Sequence, residues 1–159
     1  MQRQKGFSLI ELLIVVAIIL IIAGIAIPNM MRARIAANEA SAVNSLRTLT
    51  SAEATYNSTY PNVGYACNLA ALGPGKTPPD STAAGIIDSV LANGAKAGYT
   101  FAPGACAKAG NVTTSFQYGA APASPTQSGT RYFCTDNSGI LRFSLVSVAD
   151  CYANNNIIQ

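Results

Sequence analysis

Gly6-Phe7-Ser8-Leu9-Ile10-Glu11 opens a run that stays apolar through Leu12-Leu13-Ile14-Val15-Val16-Ala17-Ile18-Ile19-Leu20-Ile21-Ile22-Ala23-Gly24-Ile25-Ala26-Ile27 and closes at Pro28. From Phe7 the run is long enough to cross a bilayer as a helix, since roughly 20 mostly apolar residues suffice at about 1.5 Å rise each. It carries one carboxylate, Glu11, near its start. A charge at the centre of a span costs roughly 2.5 to 3.5 kcal/mol, less near an end, so an intramembrane Glu asks for a named partner. No basic side chain lies between Phe7 and Met31. If the leader ending at Gly6 is cut away, the new α-amine of Phe7 supplies a cation one helical turn from Glu11, on the same chain or a neighbour.

Lys5-Gly6-Phe7-Ser8-Leu9-Ile10-Glu11-Leu12, with a short polar and basic leader before it and the apolar helix after it, resembles the class III signal of type IV pilins and pseudopilins. The resemblance implies cleavage after Gly6 by a prepilin peptidase and N-methylation of Phe7. It also implies polymerisation into a filament with the apolar helices in its core, Glu11 pairing with a neighbouring subunit's N-terminus. The alternative is a plain signal anchor holding an enzyme or binding module at a membrane. A secretory signal fits poorly, because its cleavage site would follow the apolar segment, and Gly24-Ile25-Ala26-Ile27-Pro28 is a weak match to small-x-small.

With 159 residues the chain reads as a leader (1–6), an apolar helix for membrane or filament core (7–28), an amphipathic continuation (29–58) and a small head (59–159). Half the residues are apolar and 11% are charged, with much of the apolar excess in the first 28 positions. The formal charge of +3 includes Arg3 and Lys5 of the leader, which leaves eight basic and seven acidic side chains after processing. No basic block argues for nucleic acid. Cys67, Cys106, Cys134 and Cys151 all follow the span, no C-x-x-C is present, and the chain has no His. Disulfides are therefore favoured over a metal site, which places the head outside the cytoplasm. Arg3 and Lys5 before the span nearly balance Arg32 and Arg34 after it, so the cysteines decide the orientation.

Pro28 cannot donate to the carbonyl of Gly24, which makes the Gly24 to Pro28 turn the predicted kink or melting point. Asn29 to about Tyr56 contains neither Gly nor Pro and repeats Val43, Leu46, Leu49, Ala52 and Tyr56 at three- to four-residue spacing, predicting that the helix resumes with one apolar stripe. Tyr60-Pro61-Asn62-Val63-Gly64 ends it. Asp80-Ser81-Thr82 is expected to cap a short helix carrying Ile86, Ile87, Val90 and Leu91 and stopping at Gly94. Four antiparallel strands are expected: Tyr99 to Phe101, Val112 to Tyr118 with Thr114, Phe116 and Tyr118 on one face, Arg131 to Thr135, and Ile140 to Val146. Asp136-Asn137-Ser138-Gly139 reads as the hairpin turn between the last two.

Other chemistry is weak. Gly73-Pro74-Gly75-Lys76-Thr77 lacks the first Gly of a phosphate loop, since Ala70 stands there, and Pro78-Pro79 blocks the helix that should follow. Asp136, Asn137 and Ser138 are oxygen donors, and the pilin resemblance includes secretion pseudopilins with a calcium site near the C-terminus, but one carboxylate is thin for a hard cation. No metal or cofactor is assigned. Asn57-Ser58-Thr59 and Asn111-Val112-Thr113 match the short glycosylation pattern. Four cysteines allow three pairings; Cys67 with Cys106 and Cys134 with Cys151 is favoured, because the fourth strand returns antiparallel to the third and brings the tail back towards it.

The sequence thus reads as α+β: a long bent N-terminal helix, half apolar and half amphipathic, packed against a small head with an antiparallel β-sheet. The expected role is a structural, non-enzymatic subunit of a type IV pilus-like filament, held in the inner membrane before assembly and extracellular afterwards. Its expected partners are other pilin subunits, the prepilin peptidase and an inner-membrane assembly platform. A type II secretion pseudopilin, a minor pilin, or a membrane-anchored binding or enzymatic module is the alternative.

Overall fold

The structure, a computed structural model, describes residues 7–154 and 156–158. The chain divides into two units, Met1–Arg34 and Ile35–Gln159, and one helix, α1 (Leu9–Thr59, 51 residues), contributes to both. In the first unit the helix runs through Gly24 and Pro28 without a break. Its side chains there are exposed from Phe7 to Met31, apart from half-buried Ala23. This is the one helix among the described residues long and apolar enough to cross a membrane.

The second unit is built on the polar half of α1. Glu39, Ala42, Leu46, Leu49, Glu53 and Tyr56 recur at alternating three- and four-residue steps and are all buried, the spacing that keeps one stripe of a helix facing a single neighbour. That neighbour is a five-stranded antiparallel sheet in the order β1 (Ala95–Lys96), β2 (Tyr99–Pro103), β5 (Gln117–Pro122), β6 (Tyr132–Asp136), β7 (Leu141–Ser144). Register places Tyr99, Phe101, Tyr118, Ala120, Phe133 and Leu141 on one face, and they share a single core with Leu46, Leu49 and Tyr56 of α1.

The opposite face is covered by a short helix, α4 (Val148–Ala153), which packs on β6 and β7. Ser147 caps it, its hydroxyl accepting from the main chain of Asp150 at 3.1 Å. Gly119 on β5 lies directly under Val148, whose side chain occupies the space a Cβ would need, so close sheet-to-helix approach requires glycine there. Beyond α4 the tail returns along β7: Phe143 donates to the carbonyl of Asn156 and Ile158 to that of Leu141, each at 2.9 Å. The tail thereby occupies the exposed edge of the sheet.

Several local expectations are corrected. The helix expected from Asp80 is only α3 (Ser89–Ala92), capped instead by Asp88. Gly85 at φ +67° breaks the segment, and the main-chain N–H groups of Ala84, Gly85 and Ile86 donate to the carbonyls of Ala71, Gly73 and Leu72 around the end of α2 (Leu69–Leu72), a helix the sequence reading did not include. Asp80 closes a tight loop, accepting from Thr82 N at 2.8 Å and from Lys76 Nζ at 2.6 Å.

The single strand expected over Val112 to Tyr118 is two. Val112–Thr113 is β4, paired with β3 (Lys108–Ala109), and the ladder to β2 and β6 begins at Gln117. Thr113 is drawn away by main-chain bonds with Val63 at 2.9 Å and Tyr65 at 3.0 Å, leaving Thr114 exposed, not in line with Phe116 and Tyr118. The 136–139 turn closes through Gly139 N to Asp136 O at 2.9 Å, with Gly139 at φ +74°. The last strand is shorter than expected, with Leu145 and Val146 exposed beyond it.

Candidate functional site

Two regions carry the candidate chemistry, one in each unit. At the start of α1, Phe7 is 85% exposed, and the carboxylate of Glu11 (Oε2) accepts from the main-chain N–H of Ser8 at 3.0 Å. Ser8 precedes the first helical residue and Glu11 is the third, so this contact is one half of a capping box. An acidic side chain in the first turn also complements the positive end of the helix dipole. The Ser8-x-x-Glu11 pattern could have been read from the sequence. Glu11 thus has a local partner while retaining acceptor capacity for another donor, since a carboxylate offers about four lone-pair sites. Gly6, the expected cleavage position, lies outside the described residues, as does the leader.

The apolar row behind Glu11 presents Leu9, Leu13, Ile14, Ile18, Ile21, Ile25 and Met31, all exposed. A contiguous apolar surface of this extent exceeds what a monomer in water normally shows and marks contact with lipid or with other protein.

In the head, two carboxylates that the apolar periodicity passes over sit on the buried stripe of α1. Glu53, 0% exposed, accepts from the main chain of Ala66 at 2.7 Å and Cys67 at 2.8 Å and from the Tyr118 hydroxyl at 2.7 Å. It ties the loop after α1 and the middle of the sheet to the helix. Burial pushes its pKa up, against the three hydrogen bonds that favour the charged form. Burial and the facing Glu53 also push the Tyr118 hydroxyl far above its usual value, so it stays a donor.

Glu39 is buried 14 positions earlier. It accepts from Thr130 N and Oγ1 at 2.9 Å, and from Arg131 Nε and Nη2 at 2.7 Å. Burial raises its pKa, but the donors of Thr130 and Arg131 outweigh this and the net shift is downward. Its contribution to stability is therefore present above the ordinary Glu pKa and lost as pH falls through the lower folded value. Glu53, shifted upward, contributes in the opposite sense, most below the ordinary Glu pKa and less as pH rises through its folded value.

Glu39→Gln is expected to lower the stability of the full chain in detergent by about 1 to 2 kcal/mol at pH 7, because a charge-assisted pair with a half-exposed Arg is lost. The gap to wild type should close as pH drops below the ordinary Glu range, since protonated Glu39 then resembles Gln. Denaturant midpoints measured at neutral and acid pH check this, and a gap independent of pH would count against it.

Cys67 is joined to Cys106, with Cα atoms 6.5 Å apart, and Cys134 to Cys151, at 6.0 Å. The first bridge fastens the loop that Glu53 holds, and the second pins α4 to β6. Asp136, the carboxylate considered for calcium, accepts from Arg142 Nη1 at 2.7 Å and from the Ser138 hydroxyl, while Asp150, beyond the last strand, accepts from Ser144 Oγ at 2.6 Å and Asn154 Nδ2 at 2.7 Å. Lys76 of the glycine-rich loop is held by Asp80 and Thr82. Among the described residues no cluster of three or more metal-ligating side chains occurs.

Residues 1–27 match the family model described as the prokaryotic N-terminal methylation motif. The chain is 43% identical over 72 residues to the type IV wide pilus major component PilA4 of Thermus thermophilus, covering 45% of this chain and 53% of that protein. It is 44% identical over 54 residues to the type IV major pilin protein PilA of Myxococcus xanthus, covering 34% of this chain and 24% of that protein. The chain thus spans about half the length of the first relative and a quarter of the second. No solved structure matches it.

Proposed function

We propose that the chain is a structural subunit of a type IV pilus-like extracellular filament, cut after Gly6 by a prepilin peptidase, methylated at Phe7 and polymerised through α1. The observation that carries this reading is the exposed apolar row of α1 with Glu11 in its first turn, in one chain with a disulfide-closed head. The N-terminal methylation motif and the two pilin relatives support it. Its mechanism is assembly, not catalysis. Lipid covers the apolar row before assembly, with the head outside the cytoplasm; an inner-membrane platform then extracts the subunit, and neighbouring helices take over. Apolar area leaving water contributes about 25 cal/mol per Å², so a polymer burying this row cannot dissolve readily into monomers.

Glu11 guides the docking. Its carboxylate, already oriented by Ser8, accepts the N-terminal amine of a neighbouring subunit, and the charge pair lowers the cost of placing each ion among apolar helices. Pro28 leaves the carbonyl of Gly24 without its helical donor, and the turn between them is where the helix bends or loosens on packing. Filaments sheared from cells and subjected to intact-mass analysis should give a chain beginning at Phe7 with one added methyl and both disulfides closed. A chain retaining Met1, or one found only in the cell envelope, would contradict the proposal.

A further inference from the structure

The stretch from Phe7 to Met31, which holds no basic side chain, is 25 residues, about 37 Å of helix against a hydrocarbon core of about 30 Å. It is followed at once by Arg32 and Arg34, both exposed and both helical. Two residues apart on a helix they point about 200° apart around its axis, so they cannot converge on one small anion. They fit a surrounding layer of anions.

Among the described residues each acidic side chain of the head already has a partner within the head. Glu39, Asp80, Asp88 and Asp136 are paired with Arg131, Lys76, Lys96 and Arg142. Glu53 is taken by Ala66, Cys67 and Tyr118, and Asp150 by Ser144 and Asn154.

We infer that Arg32 and Arg34 form a collar that binds the phosphates of anionic lipid headgroups, those with no cation of their own beside the phosphate, in the outward-facing leaflet and fixes the depth of the subunit before assembly. The inference rests on the membrane stage of the function proposed above. A guanidinium presents a planar fork matched to phosphate oxygens, and a long basic side chain at the end of a span reaches the headgroup layer while its stem stays in the apolar boundary. Entry into a filament then requires both arginines to leave their phosphates, which opposes release until the assembly platform pulls.

The test uses the full-length chain in mild detergent, offered phosphatidylglycerol or phosphatidylcholine of equal acyl length, with retained lipid counted by native mass spectrometry. The wild type should favour the anionic lipid by roughly fivefold for each arginine. R32Q/R34Q should bring the ratio near one, whereas R47Q, an exposed arginine in the head, should leave it unchanged, and millimolar inorganic phosphate should not strip the lipid. Equal retention of the two lipids by wild type, an unchanged ratio in R32Q/R34Q, loss of the ratio in R47Q, or stripping by phosphate would each overturn the collar. Release of the chain from cell membranes by alkaline carbonate would overturn the membrane stage itself. Resistance to carbonate without a lipid preference would overturn the collar alone.

Discussion

Glu11→Ala is expected to leave the chain in the membrane at wild-type level and to reduce its recovery in sheared filaments at least tenfold. The apolar row that would hold the helix in lipid is untouched by the change, and one charge fewer among apolar side chains makes residence there easier. What disappears is the only acidic side chain between Phe7 and Met31, and with it the acceptor for an incoming subunit's amine. An unpaired ammonium among packed apolar helices carries a desolvation penalty of several kcal/mol, so addition should stall. Part of any loss could come from fraying of the first turn, because Glu11 also accepts from Ser8 N. Glu11→Gln separates the two effects: an amide oxygen still accepts from Ser8, but the charge is gone, so it should fail in filaments as Ala does. Filament recovery of the Ala variant equal to wild type would remove Glu11 from the assembly mechanism.

Glu53→Ala is expected to be the most damaging single change in the head, at about 4 kcal/mol. It leaves the buried hydroxyl of Tyr118 and the partly buried N–H groups of Ala66 and Cys67 without their acceptor, and an orphaned buried donor costs about 1 to 3 kcal/mol. Small domains have only about 5 to 15 kcal/mol in total, so the variant should unfold at much lower denaturant. Glu53→Gln should lose less, because its one oxygen can still serve Cys67 and Tyr118 while its NH2 faces the Ala66 N–H. Denaturant midpoints of wild type, Gln and Ala variants in that descending order are the expected result. Equal midpoints for Ala and wild type would show that the three donors find water instead.

The α+β architecture is legible because its largest signals are local. A run without charge from Leu12 to Met31 and a stretch without Gly or Pro from Asn29 to Tyr60 dictate a long helix whatever the head does, and Asp136 to Gly139 specifies its turn through residues in direct succession. The head's smaller elements are less legible, since tertiary hydrogen bonds decide them. Asp80 has the chemistry of an N-cap and accepts from Thr82 and Ala83 N, but the N–H groups of Ala84, Gly85 and Ile86 are claimed by carbonyls of 71–73, which no local pattern reveals. Val112 and Thr113 read as part of the strand ahead until Val63 and Tyr65 bond Thr113.

Glu39 and Glu53 show the same limit at the site level. Each falls on the stripe that Leu46, Leu49 and Tyr56 define, so extending the three-and-four spacing in both directions would have flagged two buried acids. Their donors could not have been named, because Thr130 and Arg131 lie 91 and 92 residues from Glu39 and Tyr118 lies 65 from Glu53. Ser147-x-x-Asp150 and Ser8-x-x-Glu11, by contrast, are helix starts written entirely in adjacent sequence.

The central claim is that the exposed apolar row of α1 is covered by copies of the same chain. Cryo-electron microscopy of filaments sheared from cells tests it most directly. The predicted result is a filament whose side-chain density reads this sequence from Phe7, with residues 7–31 of neighbouring copies packed together in its core and the disulfide-closed heads outside. Filaments built from a different chain, or from this one with residues 7–31 facing solvent, would contradict it.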